Sequence, residues 1–373
     1  MTLKILRIAQ KLYPEVPGGG PYHVHALSRD QAALGHDVTV LTIRSSPDEP
    51  RRERRDGYTV LRYDSTVNLL GNDVSIGLGR RLRGADGFDV VHAHSHLYSS
   101  TVLAAVKRRF DGTPLAVTNH GLYSQSAPRR VFEWYLRTVG RWTFDASDRI
   151  FCYTDVDRDR IRDLGVETPI SVIENGIDLD RFTPDGPTHD ALPPEGPVVL
   201  FVGRLVGGKH PETVLDAFET VRAEVPDARL VFVGDGPMKG DLQERAGELS
   251  IGDAVSFLGY RPYEELPSIY RGADVLALPS ETEGFPRVIL EALASGVPVV
   301  SSDLRQLRSL LDGAGVLVPV ADSDATARAL VDLLTDEGRR QTFAETGRHR
   351  VRDDHSWAET VRRTTDVLRE LTD

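Results

Sequence analysis

Two cations stand beside glycines in the second half of the chain, between an apolar run and a proline. Arg204 and Lys209 lie in the segment Gly203-Arg-Leu-Val-Gly-Gly-Lys209, and Pro211 follows. A guanidinium presents a planar fork to phosphate oxygens, an ammonium presents a point charge, and glycines let a ligand approach the backbone. The segment predicts a phosphate-binding loop, with an ordinary solvated loop as the alternative.

Two glutamates follow farther along the chain. Glu283 stands before Gly284 and Phe285, and Pro286 suits the start of a helix whose free N–H groups would take a sugar hydroxyl or a phosphate. Glu291 lies in an otherwise apolar run, where a carboxylate without a partner is strongly unfavourable. The two hydroxyl groups of a ribose would satisfy this carboxylate, and an ion pair with an arginine is the alternative.

The first half of the chain contains a run of three glycines. Gly18, Gly19 and Gly20 follow the first apolar run and precede a helical pattern. Backbone N–H groups at such a helix start favour an anion. The run matches neither a Walker A loop nor the dinucleotide-binding fingerprint, and a plain turn is the alternative.

Histidines form a second group in the first half. His92, His94 and His96 alternate, so three imidazoles would line one side of a strand. A metal site is one interpretation, but the motif has no carboxylate or cysteine, which favours packing and hydrogen bonding instead. His120 follows the next predicted strand, a position that suits contact with a ligand.

These residues would be brought together by strands that end at one edge of a sheet. Short apolar runs, each followed by a segment of helix length, predict buried parallel strands in both halves. In the first half they are Leu3–Ala9, Asp37–Ile43, Phe88–Ala93, Leu115–Thr118 and Arg149–Tyr153. In the second half they are Val198–Val202, Arg229–Val233, Ala254–Leu258, Asp274–Leu278, Val297–Ser301 and Gly315–Val318.

The alternation of strands and helices is interrupted once, by a stretch rich in proline and glycine over residues 183–197. This stretch is the best candidate for a linker. We therefore predict an α/β protein with two doubly wound, Rossmann-like domains, residues 1–182 and 198–355, which face each other across a cleft. Residues 356–373 have the pattern of an amphipathic helix that would pack on either domain.

Length and composition exclude several classes of protein. The chain has 373 residues, 40% hydrophobic and 27% charged, and one cysteine, Cys152. This length suits two domains, and the apolar content excludes an intrinsically disordered chain. A single cysteine excludes an internal disulfide framework and a cysteine-based zinc site. We expect a soluble, cytoplasmic protein, because no membrane-spanning stretch or signal peptide is recognisable.

The net charge of −11 is distributed unevenly. Residues 1–180 carry 24 Lys and Arg against 23 Asp and Glu, whereas residues 181–373 carry 21 against 33. Basic clusters in the first half predict an anionic partner, such as a membrane surface at which the protein would be peripheral, or a phosphorylated acceptor. They lie at residues 51–55, 80–81, 107–109 and 129–130. Ordinary solvated helix faces are the alternative, and no motif points to a nucleic-acid partner.

Several motifs, taken in order, resemble those of the retaining GT-B glycosyltransferases, specifically glycosyltransferase family 4. The most specific is Glu283-x7-Glu291. The preceding ones are Ile173-Glu-Asn-Gly-Ile-Asp178, Gly203-Arg-Leu, Gly234-Asp-Gly-Pro237 and Phe257-Leu-Gly259. The resemblance covers nearly the whole chain. It implies a GT-B fold in which the helix 356–373 crosses back to complete the N-terminal domain, and residues 198–355 bind the nucleotide sugar.

The resemblance also implies the reaction and its residues. A sugar would pass with retention of configuration from a UDP- or GDP-linked donor to an acceptor, which the basic first half suggests is a lipid-linked or cell-surface glycan. Cationic side chains would stabilise the leaving diphosphate, so no metal ion or other cofactor would be needed. Donor binding would involve Gly19, Gly20, Arg204, Lys209, Gly284, Phe285 and Glu291. The catalytic set would be His120, Arg204, Lys209 and Glu283.

The sequence departs from the family pattern in two places. His210 follows Lys209 where the family usually has glycine, and Asp303–Ser309 replaces a Gly-Gly-x-Pro-Glu segment that normally borders the donor. In this segment Arg305 or Arg308 would replace a backbone contact, or donor binding would be altered. Two other functions therefore stay open. One is a nucleotide-sugar epimerase of GT-B architecture, and the other is a non-catalytic nucleotide-sugar-binding partner subunit.

Overall fold

The computed structural model describes residues 2–69, 71–122 and 129–372. The chain divides into two compact units. The N-terminal unit comprises Met1–Glu174 together with Glu359–Asp373, and the C-terminal unit comprises Asn175–Ala358. Each unit is built around a predominantly parallel sheet, so the predicted α/β fold class is confirmed for both. No helix of the described residues is both long enough and apolar enough to cross a membrane.

An eight-stranded sheet and a separate hairpin form the strands of the N-terminal unit. The strands are β1 (Lys4–Ile8), β2 (Asp37–Ile43), β3 (Arg52–Arg55), β4 (Tyr58–Tyr63), β5 (Val67–Leu69), β6 (Asn72–Val74), β7 (Val90–His94), β8 (Leu115–Thr118), β9 (Arg149–Cys152) and β10 (Ile170–Val172). The sheet order is β10-β9-β8-β7-β1-β2-β4-β3, and β5 pairs with β6. The β3–β4 pair is antiparallel, whereas the other described pairs of the large sheet are parallel.

Helices connect the parallel strands of this unit. They are α1 (Gly19–Ala33), α2 (Ile76–Arg83), α3 (Ser99–Asp111), α4 (Arg129–Tyr135), α5 (Arg141–Asp145) and α6 (Asp155–Asp163). A π-helical turn, Leu136–Gly140, joins α4 to α5 without a break. This continuous helix therefore runs from residue 129 to residue 145.

The C-terminal unit has a six-stranded, fully parallel sheet in the order β13-β12-β11-β14-β15-β16. The strands are β11 (Val198–Val202), β12 (Arg229–Val233), β13 (Val255–Gly259), β14 (Val275–Leu278), β15 (Val299–Ser302) and β16 (Gly315–Val318). The helices are α7 (Pro211–Glu224), α8 (Lys239–Glu248), α9 (Leu266–Arg271), α10 (Arg287–Ala294), α11 (Arg308–Leu311), α12 (Ser323–Thr335) and α13 (Glu337–Asp354). The last helix of the chain, α14 (Trp357–Glu370), begins in this unit and lies mostly in the other.

Two apolar cores cover the two faces of the N-terminal sheet, because successive side chains of a strand point to opposite faces. Leu6 and Ile8 of β1 belong to one core, together with Phe144 of α5. Ile5 of β1 belongs to the other core, together with Leu368 of α14. The C-terminal helix therefore contributes to the core of the N-terminal unit.

The strand order reverses beside the first strand of each unit. In the N-terminal unit β1 lies between β2 and β7, and in the C-terminal unit β11 lies between β12 and β14. At such a point the connections that leave the two adjacent strands diverge to opposite faces, and a crevice forms at the carboxyl ends of those strands. The crevices therefore lie outside the ends of β1 and β7 in one unit, and of β11 and β14 in the other.

The predicted strands are all present, with ends that differ by at most two residues. Five of the described strands, β3, β4, β5, β6 and β10, were not predicted, and the charged sequence of the edge strand β3 has no apolar alternation. Two of the four arginines at 51–55 have acidic partners. Arg55 forms ion pairs with Glu15 and Glu53, and Arg51 pairs with Asp64 at 2.6 Å. Arg52 and Arg54 are exposed, so the positive charge of this segment is neutralised only in part.

The predicted boundary at residue 182 differs from the point where the units separate. Phe182 is buried in the C-terminal unit, with ring centroids 5.4 Å from Tyr263 and 5.9 Å from Tyr270. The stretch 183–197 continues over that same unit, where the His189 N–H donates to the Ser268 carbonyl at 3.1 Å. The chain therefore passes from the N-terminal unit to the C-terminal unit before the stretch 183–197 begins.

Two glycines allow the loops after β11 and β12 to meet backbone to backbone. A Cβ on Gly234 would lie 1.9 Å from the carbonyl oxygen of Gly203, and one on Gly236 would lie 2.3 Å from that of Leu205. The Leu205 N–H donates to the Asp235 carbonyl at 3.0 Å. This close contact fixes the backbone on both sides of Arg204.

We predict that Gly236→Ala lowers the free energy of unfolding by about 1–3 kcal/mol, because its methyl group would displace the Leu205 backbone. The matched control is Gly240→Ala in α8, where a Cβ would meet nothing within 4 Å. There alanine is expected to stabilise the helix by up to about 1 kcal/mol. Urea denaturation measures both changes, and equal stability of the two variants would contradict this account of the loop contact.

Candidate active site

Lys209 follows β11 and reaches the loop that follows β14. The chain forms a 3₁₀ turn at Gly207–Lys209 and passes through a left-handed residue, His210 (φ 48°), before α7 begins at Pro211. The Lys209 ammonium forms an ion pair with the Glu283 carboxylate. Lys209 and Glu283, both predicted to be functional, therefore meet at the strand-order reversal of the C-terminal unit.

The backbone also ties these two loops together. The Glu281 N–H donates to the Gly208 carbonyl at 3.1 Å. A Cβ on Gly207 or on Gly208 would meet nothing within 4 Å, so this glycine pair lies open to a ligand. Glu283 is 4% exposed, and a carboxylate so deeply buried needs a cation such as Lys209.

Gln306 is a contributor to this site that the sequence analysis missed. Its Nε2 donates to the backbone carbonyl of Glu283 at 2.6 Å. Gln306 belongs to the unusual segment 303–309, so that segment does border the Glu283 loop. Arg308 forms two hydrogen bonds with the exposed carboxylate of Asp303, at 2.7 and 2.9 Å. The segment thus supports the loop through an amide, a residue type that gave no signal in the sequence.

Glu291 lies in α10 and is 2% exposed. The Tyr270 hydroxyl donates to Glu291 Oε2 at 2.9 Å, and Arg287 Nε lies 3.8 Å from Oε1. Burial raises the pKa of Glu291, and the positive charge of Arg287 opposes that rise. Its carboxylate therefore has protein partners at both oxygens, including the arginine that the sequence analysis gave as the alternative. A ribose bound at Glu291 would share the carboxylate with Tyr270 and Arg287, or would take their place.

The remaining predicted residues of this unit have different environments. The Arg204 side chain is exposed beside the loop contact described above, whereas Gly284 and Phe285 are buried. The Phe285 carbonyl accepts a hydrogen bond from Asn175 at 3.4 Å, and its ring packs on His355 with centroids 5.3 Å apart. Gly284 and Phe285 therefore form the buried connection between Glu283 and α10, which begins at Arg287 directly after Pro286.

In the N-terminal unit, His120 lies among aromatic rings at the strand-order reversal. Its Nε2 is 3.0 Å from His94 Nδ1, and its Nδ1 is 2.8 Å from the Tyr153 hydroxyl. A Cβ on Gly20 would lie 3.8 Å from His120 Nδ1. The His23 ring lies 5.6 Å from the His120 ring. The structure thus brings Gly20, at the start of α1, against His120, and adds His23 and Tyr153, which the sequence analysis did not select.

The expectation that three imidazoles line one side of a strand is wrong for His96. His92 and His94 are neighbours, with ring centroids 4.4 Å apart. The strand ends at His94, and Ser95 adopts a left-handed conformation (φ 67°) that turns the chain. His96 packs instead on Phe144, at 4.7 Å. Across the ranges 2–69, 71–122 and 129–372, no group of three or more His, Cys, Asp or Glu is placed to hold a metal ion.

Burial makes these histidines weak bases. It lowers the pKa of His120 to about 4 and that of His96 to about 3, and it holds the pKa values of His92 and His94 well below 6.5. All four imidazoles are therefore neutral near pH 7. They can orient a polar ligand by hydrogen bonds, whereas the C-terminal site offers full charges.

Comparisons with known proteins show which families the two halves of the chain match. Residues 188–350 match the family described as "Glycosyl transferases group 1", and residues 17–181 match the family described as "Glycosyltransferase Family 4". Together the two matches include most of both units.

Individual proteins are similar over nearly the whole chain. Glycogen synthase of Mycobacterium tuberculosis is 31% identical over 391 residues, covering 95% of this chain and 92% of that protein. The GDP-mannose-dependent alpha-(1-6)-phosphatidylinositol monomannoside mannosyltransferase of Mycolicibacterium smegmatis is 30% identical, covering 86% and 87%. The Anabaena protein HepE, solved with UDP and glucose, aligns with a TM-score of 0.80 at 19% identity, covering 99% and 100%. That structural alignment shows a shared fold.

We predict that the free energy of unfolding decreases as the pH falls from about 6.5 towards 4. The unfolded chain gains a proton at His120 near its ordinary pKa, whereas the folded state gains it only near about 4. Each such histidine contributes a slope of at most about 1.4 kcal/mol per pH unit. Urea denaturation across this range should give a shallower slope for His120→Asn than for the wild type.

The control for this prediction is His349→Asn, since His349 is exposed. Its slope should equal that of the wild type. Parallel stability curves for the wild type and His120→Asn would show that His120 is not held neutral by the fold.

Proposed function

Because this chain belongs to the family 4 and group 1 glycosyltransferases and is a glycosyltransferase of the GT-B fold, we propose that it transfers a sugar, with retention of configuration, from a UDP- or GDP-linked donor. The donor class has support from two similar proteins. One is named as GDP-mannose-dependent, and HepE was solved with UDP and glucose. We propose a lipid-linked or cell-surface glycan as the acceptor, since the first of these proteins acts on a phosphatidylinositol monomannoside.

The observation that carries the proposal is the meeting of Lys209 and Glu283 at the strand-order reversal of the C-terminal unit. Doubly wound sheets bind nucleotides at this position. The Lys209 ammonium would bind the donor diphosphate, which would share or replace its carboxylate partner. Gly207 and Gly208 leave the adjacent backbone open to phosphate oxygens. Glu283 would then be free to accept hydrogen bonds from the donor sugar.

The chemistry of this step needs stabilisation of negative charge. When the bond between the anomeric carbon and the diphosphate breaks, its electron pair passes to the leaving diphosphate, and the sugar acquires oxocarbenium character. Arg204 and Lys209 would stabilise the charge that develops on the diphosphate. The acceptor hydroxyl would attack from the face that the diphosphate leaves, which retains the configuration, and its proton would pass to an oxygen of the departing diphosphate. Since two cations serve the leaving group, we propose that no metal ion is required.

The N-terminal unit would contribute neutral hydrogen-bonding groups. His120 is uncharged near pH 7 because burial lowers its pKa to about 4. Both of its ring nitrogens lie within hydrogen-bond distance of protein groups, so contact with a sugar hydroxyl requires that it exchange His94 or Tyr153. Gly19 and Gly20 would present the N-terminus of α1 to the diphosphate.

The proposal is tested by incubating the purified protein with UDP- and GDP-sugars, with and without a lipid-linked glycan fraction, in the presence and absence of EDTA. We expect acceptor-dependent release of one nucleoside diphosphate, unchanged by EDTA, and a glycoside whose anomeric configuration by NMR equals that of the donor. A changed free sugar formed without acceptor would indicate an epimerase. Saturable donor binding without turnover would indicate a binding subunit, and inverted product would refute retention.

We predict that Lys209→Met weakens binding of the preferred nucleoside diphosphate by about 10- to 100-fold, because a charge-assisted contact to phosphate is lost. Isothermal titration calorimetry measures the dissociation constant, and circular dichroism verifies the fold. The matched control is Lys239→Met, since Lys239 lies in the same unit, with its ammonium 4.0 Å from the Asp235 carboxylate. Equal affinities for both variants would exclude Lys209 from the diphosphate site.

A further inference from the structure

An exposed ridge of aromatic side chains lies on the helix that runs through α4, the π turn and α5. We name it the tryptophan face and define it as Arg130, Val131, Trp134, Arg137, Arg141 and Trp142. Trp134 is 65% exposed, Val131 49% and Trp142 40%. Large apolar side chains of this kind are rarely left in water together without a partner.

The π turn brings the two tryptophans into line. In an α-helix each residue advances by about 100°, so residues eight apart would be offset by about 80°. The π turn Leu136–Gly140 lies between Trp134 and Trp142, and its wider turn takes up about one extra residue. Eight residues therefore make almost two complete turns. The rings project from the same side of the helix, about 12 Å apart along its axis.

The opposite side of this helix is packed into the unit. Leu136 and Phe144 are buried, and each lies two residues from a tryptophan, about 200° around the helix. Phe144 belongs to the core beneath α2 and α3. The tryptophans therefore project away from the sheet. Packing in the core does not explain why these exposed positions carry large apolar side chains.

Positive charge surrounds the ridge. Arg130, Arg137 and Arg141 are exposed on the same helix, with Glu133 and Asp145 as its acidic residues, and Arg141 lies 3.3 Å from Asp145. The neighbouring layer adds to this charge, since α3 packs against both α5 and α2. Helix α2 carries Arg80, Arg81 and Arg83 and no acidic residue.

We propose that the tryptophan face binds an anionic membrane surface. Tryptophan is suited to the boundary between headgroups and acyl chains, because its ring is mostly apolar and its N–H remains hydrogen-bonded. Arginines next to the ridge would pair with lipid phosphates, each adding to the attraction of an anionic surface. A line of exposed apolar side chains on one helix fits shallow insertion. A symmetric dimer through this face would set two positively charged patches against each other.

This inference deepens the proposed function and rests on it in one respect. A lipid-linked acceptor would lie in the membrane that the tryptophan face binds. Attachment itself requires no sugar transfer. It is therefore measured without donor or acceptor, so its failure and that of the transferase proposal are distinguishable.

The experiment uses the full chain with vesicles of phosphatidylcholine, with and without phosphatidylglycerol. We expect cosedimentation with the anionic vesicles, a blue shift of tryptophan emission, and quenching by brominated lipid. The chain has three tryptophans, and Trp357 is buried, so the change reports on Trp134 and Trp142. Binding should weaken as salt shortens the screening length from about 10 Å at 0.1 M to about 3 Å at 1 M.

Two surface variants test the two components of the face. Trp134→Ser should weaken vesicle binding by about tenfold or more, because an inserted aromatic ring is lost. The pair Arg130→Glu and Arg137→Glu should weaken it at least as much. The matched controls in the C-terminal unit are Tyr260→Ser, and Arg328→Glu with Arg348→Glu, all at exposed positions. These controls should bind vesicles as the wild type does.

Several results would overturn the inference. Equal binding to neutral and anionic vesicles would exclude the arginine contribution. Equal loss in the control variants would exclude this face as the site. If vesicles are not bound and sedimentation shows self-association that Trp134→Ser abolishes, the face is a contact between copies of the chain. If vesicles are not bound and an acidic protein binds the wild type but not Trp134→Ser, the tryptophan face is a binding surface for a protein partner.

Discussion

The reversal of strand order beside the first strand of each sheet is the constraint on which the candidate sites depend. Parallel strands are joined by right-handed crossovers. At the point of reversal, the connections that leave the two adjacent strands therefore run to opposite faces of the sheet, and a crevice forms between them. In the N-terminal unit this point lies between β1 and β7, and in the C-terminal unit between β11 and β14. Gly20, Lys209 and Glu283 follow three of those strands, and His120 follows the strand beside β7. The fold therefore gathers residues that are distant in the sequence.

The two candidate sites hold polar groups in contrasting ways. The C-terminal site buries charged side chains beside polar partners, as Lys209 with Glu283 and Glu291 with Tyr270 and Arg287. The N-terminal site instead keeps its histidines neutral by burial. One buried cation there, Arg7, has its pKa lowered to about 9 by desolvation, and it donates to Ser28 at 2.8 Å. The first arrangement suits an anionic ligand, and the second suits oriented hydroxyl groups.

Buried hydrogen bonds also explain how the last helix belongs to the first unit. Arg7 Nη2 donates to Gln31 at 2.5 Å, and Gln31 Nε2 donates to Thr365 of α14 at 2.9 Å. These bonds connect β1, α1 and α14 in the interior, where an unmade hydrogen bond is costly. The side chains of α14 thus complete a polar network as well as an apolar core, which favours one position of the helix.

The sequence by itself determined the α/β class, the predicted strands and the glycine, lysine and glutamate positions of the C-terminal site. These follow from local apolar runs and from residue types at strand ends, which require no knowledge of distant contacts. The contribution of Gln306, the turn that separates His96 from His94, and the ion pair of Arg55 with Glu15 were decided only by tertiary structure. So was the alignment of Trp134 with Trp142. These features depend on backbone geometry or on a partner far away in the chain. Local hydrophobic periodicity encodes neither the geometry nor the distant partner.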